Sequence, residues 1–517
     1  MRRTRFSVLP VVSDWIPTLQ NVGIPQSPDP SGGEAWGAFI ATSAINPTNW
    51  TRSYSRSAYI DPLPPRANLH ILAGATVTKI IFDDNLTATG VRFARTRGGP
   101  VTTVNVGKEV LLAAGAIGSP NILMHSGVGP NDTLVNAGVE VKLDLPGVGQ
   151  HMQDHIVSTS TVDCSLVVAH LFTPIPQSSS VTFRTTADTM ATMLDKGAAD
   201  GVPPGQSSPF LSFINSATCY ANTSNLFGSY ENAANFQKDI LSDLDKPSSR
   251  LIPSKDPGVI EGYKALYRAN AEKILMSRVG QVELLFFAMG NFRGGDQTIS
   301  IQLALQHPYS QGRLYITTDN AFDYPTIDPQ YLTHRADAAL MRQAVRLARK
   351  IAATAPLTDV LGEEVSPGPG VTSDEAIDEF VANGFTTEFH PANTLAMLPR
   401  SQGGVVDAKL KVYGLKNVRA VDASIFPIQF SAHVSPCLPF RLGVGLVLKL
   451  VTYRCNGQST LWLSTLQRSS VPSITASPTL MNSNRRQGET IPLTVIITLT
   501  AIPVTVEEPS RCLLHLS

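Results

Sequence analysis

Gly115-Ala116-Ile117-Gly118-Ser119-Pro120-Asn121-Ile122-Leu123-Met124-His125-Ser126-Gly127-Val128-Gly129 follows directly on Val110-Leu111-Leu112-Ala113-Ala114. The run from Val110 to Ala114 is apolar throughout, as a strand buried on both faces would be. Gly115 ends it. Ser119 can cap a helix, and Pro120 suits a first helical position, where its missing N–H has no partner to lose. A helix is therefore expected to start at Ser119-Pro120 and to close at Gly127. Strand, glycine turn and helix make an α/β unit. The small Ala113, Ala114 and Gly115 at the turn would let a ligand approach the backbone. Ordinary packing of a strand on a helix would use the same residue types.

Upstream, Asn68–Leu72 and Thr76–Phe82 read as adjacent strands, with Val91–Phe93 and Val101–Val106 continuing a meander. The opening stretch, residues 1–59, is rich in Gly, Pro, Ser and Asn and reads as irregular connection. Downstream, Ile299–Leu305 and Gly312–Thr317 read as strands. Ala336–Ala353 is an amphipathic helix, with Leu340, Ala344, Leu347 and Ile351 on one stripe. The stretch between Ile156 and Phe292 shows mixed periodicity and little punctuation.

The chain has 517 residues, enough for more than one domain. Lys plus Arg and Asp plus Glu stand at 41 each, so no net field favours nucleic acid or an anionic membrane. The five cysteines form no CxxC and no zinc spacing, and a Cys164–Cys219 disulfide stays open. Sequons at Asn49, Asn85, Asn131 and Asn222 are about what chance gives in a chain rich in Ser and Thr. No secretory leader and no membrane span is expected.

Two histidines stand in distinctive loops near the C-terminus: His390 in Glu388-Phe389-His390-Pro391-Ala392-Asn393-Thr394, and His433 in Ser431-Ala432-His433-Val434. Between them lie Gly403-Gly404-Val405-Val406-Asp407 and Val421-Asp422-Ala423-Ser424-Ile425. An imidazole pair in one pocket can take the proton of an alcohol, a contribution of roughly 10²–10⁴ in rate. Leu145-Pro146-Gly147-Val148-Gly149-Gln150-His151-Met152-Gln153-Asp154-His155 carries a fixed turn and a second pair of histidines. His151 and His155 could share a helix face as metal ligands. No third ligand is adjacent in sequence, so a structural role is expected and no metal site.

In their order, these segments resemble the glucose-methanol-choline (GMC) flavin oxidoreductases. The stretch 115–129 resembles that family's second signature, 145–155 its Pro-Gly-x-Gly segment with an Asp-His pair, and 390–433 its C-terminal half. The resemblance implies an α/β fold with an α+β substrate domain, in the two-domain arrangement of GMC FAD oxidoreductases. It implies FAD as cofactor, a small-molecule alcohol as substrate, and oxygen or another electron acceptor. His390 and His433 match the family's catalytic positions, where a proton leaves the alcohol while a hydride passes to the flavin. Which of the two is the base stays open. Val77, Ala114, Gly115, Asp422, Ala423 and Val434 match positions at the cofactor. Asn393 stands where many relatives have Gly, so a left-handed backbone is expected there. Localisation stays open, although family members are often secreted.

No Gly-x-Gly-x-x-Gly follows a strand in the sequence, so the FAD domain is expected to be incomplete, with the resemblance starting near Trp36. The expected division is 60–155 for the remaining FAD domain, 156–384 for the substrate domain and 385–434 for a return to the FAD domain. Residues 435–517 are expected to be a poorly ordered tail foreign to the family, the product of a misread gene. Two other readings stay open: a non-redox lyase or cyclase on the same fold, and a truncated chain that binds no FAD.

Overall fold

The computed structural model describes residues 9–30, 35–40, 44–46, 48–49, 51–158, 180–195, 216–242, 252–290, 295–433 and 495–497. Val434 and nearly all of 435–517 lie outside them, as does Cys164; Cys219 is a free, buried thiol, so the possible Cys164–Cys219 disulfide is not formed.

Buried apolar side chains fall into two clusters. The first is built on an eight-stranded antiparallel sheet. Its strands run in the order Gly37–Ile40, Ser216–Ala221, Val282–Phe287, Thr298–Leu305, Ile156–Ser158 and Phe385–Thr387. Val181–Thr185 also pairs with Thr298–Leu305 and carries Leu361–Ser366 on its other side. The helix Arg335–Ala352 buries Leu340, Ala344, Leu347 and Ile351, the stripe seen in the sequence.

The opening stretch is not irregular, which corrects the expectation for residues 1–59. A helix spans Trp15–Val22 and packs Trp15 and Leu19 into this first cluster, beside Val11 and Val12. The Trp15 ring lies 5.2 Å from that of Phe286, and its Nε1–H donates to the Thr218 carbonyl at 3.2 Å. Pro17 stands in the first turn, where a missing N–H costs nothing, and Gly23 ends the helix with φ 96°. The element is too short for its apolar spacing to stand out among the prolines.

The second cluster gathers Val110–Leu112, the helix Gly115–His125, and residues from 395 to 425. Val110–Leu112 pairs in parallel with Val418–Ala420 on one side and with Val495–Ile497 on the other. Thr76–Phe82, Ala88–Ala94 and Thr102–Asn105 form the expected meander. Asn68–Leu72 is not a strand: Ile71 and Leu72 are exposed, so nothing rewards their pairing.

The decisive helix also begins earlier than expected, at Gly115. Pro120 therefore lies inside it, not at its start. The carbonyl left without an intrahelical donor is that of Ala116, four residues before Pro120. The Thr394 hydroxyl donates to it at 2.6 Å. Ser119 is no cap either. Its hydroxyl accepts from the Ala114 N–H at 3.1 Å and donates to Asp422.

Candidate active site

The large sheet sets the site. Thr387 pairs with Ile156, so the residues just beyond, Glu388 and His155, face each other across the sheet end. The Glu388 N–H donates to the His155 carbonyl at 3.1 Å. Glu283 lies two strands away, on Val282–Phe287, and is almost fully buried.

The His390 loop is fastened from below by Asp154, itself buried. Asp154 accepts the His390 N–H at 2.9 Å, the Tyr331 hydroxyl at 2.6 Å and the Thr387 hydroxyl. Gln429 donates to the His390 carbonyl at 2.7 Å. Asn393 has φ 75°, the left-handed backbone expected of it, and donates through its side chain to Gln153 at 2.6 Å. Beyond it, the N–H groups of Asn393, Leu395 and Met397 donate to the carbonyls of Ala423, Ser424 and Ile425. The histidine loop and the Asp422 turn are thereby one rigid unit.

His390 and His433 do meet: their rings lie 5.1 Å apart. Sequence reasoning missed what lies around them. His155 contacts His390 edge-on, with 3.2 Å between the two Nδ1 atoms. Glu388 approaches His155 Nδ1 at 3.3 Å and His390 Nδ1 at 3.6 Å through one oxygen, and His433 Nε2 at 3.5 Å through the other. Glu283 stands 3.0 Å from His433 Nε2. The third partner that His155 lacked in sequence is thus supplied through space. His151 goes elsewhere, fully buried and hydrogen-bonded to Gln311 at 2.9 Å. An Asp-His pair at a strand start and a carboxylate two residues before His390 were the available signals. Their meaning depends on a strand pairing that no local pattern reveals.

The electrostatics favour a neutral base beside a fixed anion. Burial works to raise the Glu388 carboxyl, but hydrogen bonding with His155 and His390 and the nearby His433 hold it well below the usual carboxylate range. Burial pushes His390 below the usual imidazole value, with Glu388 working against that shift. His390 is therefore an unprotonated imidazole near neutral pH, which is the form that can accept a proton.

Of the expected cofactor positions, the structure brings Ala114, Gly115, Asp422 and Ala423 together. Asp422 accepts the Gly115 N–H at 3.0 Å and the Ser119 hydroxyl. Gly115 has φ 77°, and a Cβ built on it meets no heavy atom within 4 Å. Close packing therefore does not require glycine there; its backbone faces open space. Val77 lies on Thr76–Phe82, in the separate three-stranded meander, partly buried against the same core, and pairs with Phe93. This open, small-residue corner fits the adenosine side of an FAD. A glycine loop for the pyrophosphate has no counterpart among the described residues.

Comparison with known proteins agrees with this geometry. The family model for the N-terminal part of the GMC oxidoreductases matches residues 10–157, and that for the C-terminal part matches 308–438. The match thus begins ahead of Trp36, the start expected from the sequence. The chain is 37% identical over 428 residues to the GMC oxidoreductase family protein Mala s 12 of Malassezia sympodialis, covering 82% of this chain and 62% of the relative. It thus spans less than two thirds of that relative's length. An FAD-dependent oxidoreductase from Chaetomium thermophilum superposes with a TM-score of 0.69 at 27% identity, over 82% of this chain and 69% of that one. A fungal aryl-alcohol oxidase shares the fold, with a TM-score of 0.68 at 24% identity, over 83% and 68% of the two chains.

Proposed function

The chain belongs to the GMC oxidoreductase family, whose members are FAD-dependent oxidoreductases, and we propose that it serves the oxidation of a small primary or secondary alcohol. The observation that supports this reading most is the pair of imidazoles 5.1 Å apart, His390 and His433, backed by carboxylates. Bound FAD would supply the hydride acceptor. Ala114 and Gly115 would hold its adenosine side, with Val77 at the adenine; the Asp422-Ala423 turn would approach the flavin and its phosphates, with Val434 as a further contact.

The chain's own part is proton handling. An alcohol whose oxygen reaches both rings presents its O–H to a neutral imidazole. The proton moves onto that ring, and electron density on the oxygen rises, which weakens the adjacent C–H bond. The second ring hydrogen-bonds the same oxygen and fixes its direction. Glu388 neutralises the imidazolium that forms, and Asp154 keeps the His390 loop from shifting as it does so. Placement of this kind matters because a misfit of about 1 Å can cost on the order of 10² in rate. The electron acceptor in turnover is oxygen or another oxidant.

The test is a flavin spectrum of the purified chain followed by a panel of alcohols with oxygen or a dye as acceptor. His390→Ala and His433→Ala should each lower kcat by roughly 10²–10⁴ while the flavin bands persist. Unchanged turnover in both variants would remove the histidines from the reaction.

A further inference from the structure

We propose that His155, His390 and Glu388 form a binding site for a divalent transition cation of zinc's class, and that its occupancy switches the site off. The three ligand atoms make a nearly equilateral triangle. Its edges are 3.2 Å between the two Nδ1 atoms, 3.3 Å from His155 Nδ1 to Glu388, and 3.6 Å from His390 Nδ1 to Glu388. Zinc bonds of about 2.0–2.1 Å to nitrogen and oxygen, set at tetrahedral angles, put neighbouring ligand atoms about 3.3–3.4 Å apart. The triangle is thus one face of such a tetrahedron, with the fourth position open.

Three further observations point the same way. The first is the outer support of His155. Its Nε2–H donates to the Phe430 carbonyl at 3.1 Å, which leaves Nδ1 as the ring atom that a cation would take. A ligating histidine is usually held in this way through its far nitrogen. His155 itself is fully buried, so Nδ1 is shut off from solvent. The second is charge. Glu283, buried, and Glu388, partly buried, put two carboxylates into one cluster, and among the described residues no lysine or arginine pairs with either. A dication supplies the missing positive charge. The third is the second carboxylate itself: Glu283, Glu388 and His433 make a further group whose ligand atoms lie within 4.8 Å of one another, so Glu388 can serve on either side.

The consequence follows from imidazole chemistry and rests on the alcohol-oxidation reading. A cation on His390 Nδ1 confines the ring's one proton to Nε2. The ring then has no lone pair with which to accept a proton. Binding of the metal itself needs neither flavin nor alcohol.

The experiment is a titration of the chelator-stripped full chain with Co²⁺ alone. One equivalent should produce the intense visible d–d bands of four-coordinate cobalt, and Zn²⁺ should erase them. Glu388→Gln and His155→Asn should each weaken binding by at least about 100-fold, the upper end of what loss of a supporting group alone costs. His151→Gln, another buried histidine outside the triangle, should leave the titration unchanged, and thermal melts confirm that each variant is folded. No d–d bands, or equal affinity in all three variants, overturns the site. A colourless chain without flavin that still binds Co²⁺ leaves the metal site standing and defeats only the alcohol reading.

Discussion

At the scale of single residues, Asp337 shows how burial and hydrogen bonding oppose each other. It is fully buried and accepts the N–H groups of Tyr309 at 2.7 Å and Ser310 at 3.0 Å. Burial raises its pKa to about 6, and these hydrogen bonds only partly offset that. A carboxyl whose folded pKa exceeds its unfolded value holds more protons when folded, so its contribution is complete below about pH 4 and is lost as pH rises through 6. The stability of the wild-type chain relative to Asp337→Asn should therefore fall by about 2 kcal/mol between pH 4 and pH 7. Denaturant titrations at the two pH values measure it, and a constant difference would contradict it. No sequence pattern marks Asp337, because its shift comes from burial under segments that arrive from elsewhere in the chain. His390 and His433 were legible because their loops are distinctive in themselves. Glu283 and His155 were not, since each gains its meaning only from a partner far along the chain.

At the scale of elements, the helix Gly115–His125 keeps a proline in its interior because a second segment completes its hydrogen bonding. Thr394→Val removes the hydroxyl that donates to the Ala116 carbonyl and should cost about 1–3 kcal/mol, the usual penalty for stranding a buried acceptor. Pro120→Ala restores the N–H that this carbonyl would take within a regular helix. The double variant should thus be more stable than Thr394→Val alone, and a double-mutant cycle by thermal melting reads the coupling. Strict additivity would show that the two residues are unrelated. The strand and the helix could both be read from apolar runs and turn residues. The start of the helix could not, because Ser119 and Pro120 imitate a helix start while serving Asp422 and Thr394 instead.

For the whole molecule, the first cluster depends on its earliest described segment. Trp15 sits under the large sheet, fully buried against Phe286. Trp15→Ala should cost about 3–5 kcal/mol, as truncation of a buried aromatic does, and lower the melting temperature accordingly. A melting temperature like that of the unaltered chain would mean that the segment is dispensable. The resemblance of 115–129, 145–155 and 390–433 was enough to give the fold class. What it could not give was the joining of those segments, because the pairing of Thr387 with Ile156 is a long-range event with only three residues on each strand.

That same pairing imposes an order in time. His155 and His390 are 235 positions apart, and His433 lies 150 beyond Glu283. Non-local contacts of this span form late, after the chain has closed its long loops. While the chain is being synthesised, at about 5–20 residues per second, Glu388 waits several seconds for His433. During that interval the sheet end carries its carboxylates without their full complement of imidazoles. The centre of the site is therefore among the last parts of the protein to come into being.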